Sequence, residues 1–154
     1  MRNRRLVSAL ALALPFVAAG VFSRPAEAQT GLQYFAVTPC RAADTRTGNG
    51  GTIQASIFRA FTIKGVCGVP GTAKAVSLNL TIVSPTADGF FSVWPYGGAF
   101  PVVSTINFVA GDPAIANGAI VPLVAGTPDL YGGYGTATGT GQTQAVLDVT
   151  GYFQ

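Results

Sequence analysis

The chain has 154 residues, no histidine and a single glutamate, Glu27, and its nine lysines and arginines against six acids give a formal net charge of +3. Aspartate is ionised near neutrality unless burial or a like charge raises its pKa. The inventory therefore argues against most hydrolytic and transfer enzymes.

The first residues read as an export signal. Arg2, Arg4 and Arg5 form a basic start, an apolar run follows from Leu6 to about Phe22, and Ala26-Glu27-Ala28 supplies small residues for cleavage after Ala28. Pro15 and Gly20 interrupt a run already short for crossing about 30 Å of hydrocarbon, which favours cleavage over anchoring. The expected organisation is a signal peptide over 1–28 and one β-sandwich domain over 29–154. The expected location is extracellular: secreted or on the cell surface, or periplasmic if the envelope has two membranes, with no membrane insertion after processing.

Arg2, Arg4, Arg5, Arg24 and Glu27 leave with the signal, so five basic and five acidic side chains remain. The basic pI of about 9.1 thus belongs to the precursor. Nucleic-acid binding, which needs clustered cations to displace counterions, loses its support. A nearly neutral chain repels its own copies weakly, which makes self-association an expectation.

Next in the chain is Pro39-Cys40-Arg41-Ala42-Ala43-Asp44-Thr45-Arg46. Asp44 between Arg41 and Arg46 predicts a structural ion-pair clamp, since guanidinium groups fork onto carboxylates. The functional alternative is an anion or glycan contact through a free guanidinium edge. Cys40 and Cys67 are the only cysteines, and in an oxidising compartment an even number predicts a disulfide, with two buried thiols as the alternative. Zinc would need further Cys or His ligands, and the aspartates form no calcium-loop spacing, so no metal or other cofactor is expected.

The pattern beyond is period two. Val76, Leu78, Leu80 and Ile82 alternate with Ser77, Asn79 and Thr81, the clearest strand of the chain. Shorter strands are predicted at Tyr34–Thr38, Ile57–Ile63, Phe90–Trp94, Val102–Phe108, Ala119–Val124 and Ala145–Tyr152, separated by Gly, Pro, Asn and Asp clusters. The run Gly126–Thr143, rich in Gly and Thr, reads as a mobile hairpin or long loop. No window carries a capped helical stripe. Seven or eight short strands predict an all-β fold: an antiparallel β-sandwich, jelly-roll or Ig-like, with a closed β-barrel as the alternative.

PCRAADTR (39–46), CGVPGTAKAVSLNLTIVSPTADGFFSVWP (67–95), STINF (104–108), NGAIVPL (117–123) and DVTGYF (148–153) together resemble a recurrent, largely uncharacterised all-β module of bacterial secreted proteins. The resemblance spans Tyr34 to Phe153. It implies an extracellular β-domain and carries over no catalytic residue. The module is often appended to larger extracellular chains, whereas the expectation here is the module alone after the signal peptide.

Two function classes follow. The first is a non-catalytic structural or adhesive protein that self-assembles on the cell surface or into a filament or matrix, because few lysines guard its strand edges. The second is a carbohydrate-binding module in which Trp94, Tyr96, Tyr131 and Tyr134 stack on sugar rings, against the alternative that Trp94 is buried, since large aromatics dominate sandwich cores. Catalysis ranks third, since a Ser or Thr nucleophile would have only Lys64 or Lys74 as a base. The expected partners are copies of the chain or a surface glycan.

Overall fold

The computed structural model describes residues 31–154, which form one compact unit; the expected signal peptide over 1–28 and its expected cleavage point lie outside the described residues. The elements are β1 (Tyr34–Asp44), β2 (Ile53–Gln54), β3 (Phe58–Phe61), β4 (Ala75–Val83), β5 (Gly89–Pro95), β6 (Ile106–Phe108), β7 (Ala114–Pro122), β8 (Leu130–Gly135) and β9 (Gln142–Phe153).

One sheet runs β1-β9-β4-β7, with the short β2 also on β9, and the other runs β3-β8-β5-β6. Every paired strand is antiparallel. Setting β2 aside, β5 to β6 is the only connection that stays within a sheet; each of the others crosses to the opposite layer. That alternation is the eight-stranded jelly roll, which sets aside both the Ig-like arrangement and the closed barrel.

The apolar alternation of β4 fixes its orientation. Val76, Leu78, Leu80 and Ile82 are all buried, and they meet Leu147 and Val149 of β9 and Phe91, Leu130 and Tyr134 of the opposite sheet in one core. Each such aliphatic side chain contributes about 1.5–3 kcal/mol on burial. The intervening Ser77, Asn79 and Thr81 lie on the outer face at intermediate exposure.

The segment Gly126–Thr143 is not a long loop. Its middle is β8, a central strand paired with β3 on one side and β5 on the other. The three glycines of β8, Gly132, Gly133 and Gly135, leave spaces filled by aromatic rings from neighbouring segments. A β-carbon on Gly132 would meet Phe91 and Phe61 on the core side, and one on Gly133 would meet Phe58 and Trp94 on the outer side. β7 likewise begins five residues earlier than its sequence pattern suggests, because Ala114–Gly118 carries one large apolar side chain, the half-buried Ile115, among exposed Ala, Asn and Gly.

Candidate functional site

The clamp forms around three residues from the first strand and its turn and one from the last strand. Arg46 grips Asp44 through Nε to Oδ1 at 2.9 Å and Nη2 to Oδ2 at 2.6 Å, and its own backbone N–H donates to Oδ1. Arg41 reaches Asp44 at 3.3 Å, but its main partner is Asp148: Nε to Oδ1 at 2.8 Å and Nη2 to Oδ2 at 3.1 Å. The strand register places Arg41 opposite Asp148, so this fork ties β1 to β9. Sequence reading paired Arg41 with Asp44 alone, because the cross-strand register carries no local signal.

Each nitrogen of the Arg41 guanidinium engages a carboxylate, which uses three of its five N–H groups, and Arg46 spends Nε and Nη2 on Asp44, so the carboxylates take up most of the charge while outward N–H groups remain. A shallow depression of about 360 Å³ beside it is lined by Pro39, Cys40, Arg41 and Asp148. Cys40 bonds to Cys67 there, joining β1 to the β3–β4 connection.

The Asp44 carboxyl is held at about 2, against an ordinary 3.8. The hydrogen bond from the Arg46 side chain is the largest cause; the Arg46 backbone N–H and the charges of Arg46 and Arg41 add to it, while burial opposes. The folded-state value lies below the unfolded one, so the clamp's contribution is complete above pH 3.8 and is lost as pH falls toward 2. Melting temperature should therefore drop between about pH 4 and 2, a dependence that Asp44→Asn flattens. The same variant should be less stable at neutral pH by about 1–3 kcal/mol, measured by thermal or denaturant melts.

The other aspartates are also tied to the scaffold. Asp129 is fully buried, and its Oδ2 accepts the backbone N–H groups of Ile63 and Lys64 at 2.6 and 2.7 Å. Asp88 accepts the N–H of Ala110, and Asp112 that of Val109.

The aromatic candidates separate. Tyr134 is 0% exposed in the core, its hydroxyl donating to the Ala87 carbonyl. Trp94 is only 4% exposed, although it sits on the outer face of its sheet. The chain after β5 folds back over it: the indole N–H donates to Gly98 O at 3.0 Å, and Phe100 and Phe58 meet its ring edge-on at 5.2 and 5.1 Å. Neither Trp94 nor Tyr134 can offer a face to a sugar ring. Tyr96 and Tyr131 remain closer to the surface and pack on each other at 4.5 Å, Tyr96 being 38% exposed.

The open aromatic feature lies elsewhere on this sheet. Phe58, 46% exposed, stacks on Phe100 at 5.1 Å with their planes 4° apart, and Phe90 flanks Phe100. With Ser56, Tyr134, Gly135 and Thr136 these rings bound a groove of about 250 Å³. The ring of Phe90 lies against Gly135, where no β-carbon fits.

The sheet ends differ in how they are closed to further pairing. β1 carries Pro39, the charged Arg41 and Asp44, and two register shifts. β6 has three residues. β3 has four, and its Arg59 donates to the carbonyls of Asn49, Gly51 and Thr52, drawing that loop alongside. β7 has nine residues, AIANGAIVP, with no charge and an unbroken register along β4. Short strands, charges, prolines and bulges are the usual guards of a sheet edge. β7 has only its terminal Pro122.

No protein-family model, curated protein or solved structure matches this chain.

Proposed function

We propose that the protein is a non-catalytic extracellular structural or adhesive domain that associates with copies of itself. The observation that carries this reading is β7: a nine-residue, uncharged terminal strand in unbroken register with β4, whose outer backbone edge has no backbone partner among the described residues. Such an edge is a template for a further strand. The hydrogen bonds and ion pairs of Asp44, Asp88, Asp112, Asp129 and Asp148 support the non-catalytic part, because each carboxylate is engaged in holding turns or strands together. The disulfide supports an oxidising compartment. Sedimentation velocity across a concentration series should show reversible association of the processed protein. A single monomeric species up to millimolar concentration removes this reading.

The Phe58–Phe100 groove favours a second reading, in which the domain also holds a neutral sugar. Its lining offers stacking faces with the Ser56 and Thr136 hydroxyls and no charge. Titration with a panel of neutral oligosaccharides should then give binding that Phe58→Ala weakens at least tenfold and Tyr96→Ala leaves unchanged. Binding lost equally in both variants, or absent from the wild type, excludes this groove as a sugar site.

A further inference from the structure

We infer that the occupant of the β7 edge is β7 of a second copy, running antiparallel about a two-fold axis at Gly118, so that the product is a closed dimer. This inference rests on the association reading above and adds its geometry.

Antiparallel pairing of a strand with itself is the isologous case, in which one patch is its own complement. With Gly118 on the axis, Ile115 faces Val121 of the second copy, Ala116 faces Ile120, and Ala114 faces Pro122. Asn117 faces Ala119. Apart from Asn117, whose amide already donates to Thr105 O within its own copy, the register sets apolar side chains against apolar ones, with no charge to bury or repel. The strand can approach its mate closely at the axis, because Gly118 has no side chain and nothing lies within 4 Å of where a β-carbon would stand. Ile120 is 65% exposed and would gain cover from the mate.

The joined layer would read β1-β9-β4-β7 followed by the same order reversed. It would end at β1 on both sides, where Pro39, the bulges and the Arg41–Asp148 fork oppose further addition. Edge pairing of this kind stops at two copies and does not by itself grow a filament.

Engineered cysteines test the geometry, since both native cysteines are already bonded to each other and an added thiol is the only free one. Across an antiparallel pair, directly opposed residues stand about 4.5–5.5 Å apart, within disulfide reach. Under mild oxidation Gly118→Cys should convert to a covalent dimer. Ala114→Cys should not, because on this register its copy sits about 27 Å away along the strand. Ile120→Lys should shift the otherwise native protein to monomer in sedimentation, with circular dichroism and the melting curve showing that the fold is retained. Wild-type association that persists in Ile120→Lys, equal cross-linking at positions 114 and 118, or a series of species beyond the dimer that Ile120→Lys abolishes would overturn the two-fold β7 pairing while leaving self-association standing. A strictly monomeric wild type would overturn both.

Discussion

Replacing Cys40 and Cys67 together by serine is expected to lower stability by about 3–4 kcal/mol, which for a domain of this size moves the melting temperature down by roughly 10–15 °C. The bridge closes a loop of 27 positions, and in the chain-entropy view its loss frees that loop in the unfolded chain. The native side of the balance also matters. Cys40 sits at one of the register shifts where β1 departs from β9, beside the Arg41–Asp148 fork, so the bridge holds the β3–β4 connection onto the strand that the clamp secures. Cys67 adopts φ 54, a conformation that favours glycine. Once the bond is gone, glycine at position 67 should therefore recover up to about 1 kcal/mol relative to serine. Melts with and without reductant check the first point, and a melt of the Cys40→Ser, Cys67→Gly variant checks the second: the wild type in reductant should fall to the level of the double-serine variant, and neither variant should respond to reductant. A reductant-insensitive wild type would mean that the bridge contributes little to the free energy of folding.

The same corner shows what a sequence discloses and what it withholds. Pro39–Arg46 and Asp148–Phe153 stood out as motifs at opposite ends of the chain, and in the fold they are neighbours on β1 and β9. Charge chemistry made the Arg46–Asp44 contact legible, because the two residues are two positions apart. The Arg41–Asp148 contact spans 107 positions and depends on register, which only the assembled sheet defines. Alternation made β4 legible, since one of its faces is core and the other is polar. For Trp94 the abundance of aromatics in sandwich cores made burial legible but alternation did not say how: it lies on the outward face, and the loop carrying Gly98 and Phe100 covers it. A strand's period identifies its two faces but not whether a second apolar layer lies over one of them. β7 was half hidden because Ala and Gly give no hydrophobic contrast, and that plainness is also what leaves its edge unguarded.

Glycine supplies the sharpest contrast, and it can be measured. Gly132→Val should cost about 3 kcal/mol, near the upper end for overpacking, because its β-carbon would lie 2.8 Å from the Phe91 ring and 2.9 Å from that of Phe61. Both rings belong to the core, and β8 is held on each side by a neighbouring strand, so neither ring nor backbone can easily withdraw. Gly118→Ala places the same first carbon in open space at an ordinary strand conformation and should be neutral or stabilising by about 0.5 kcal/mol, through the reduced freedom of the unfolded chain. A cycle with Phe91→Leu separates crowding from strand propensity. If the ring causes the cost, Gly132→Ala combined with Phe91→Leu should lose clearly less than the two single changes added together, since the ring atoms nearest the new methyl are gone. If the losses simply add both in this cycle and in the matching one with Phe61→Leu, the glycine is there for its backbone, and the account of β8 as a strand built to receive its neighbours' rings fails at its central position.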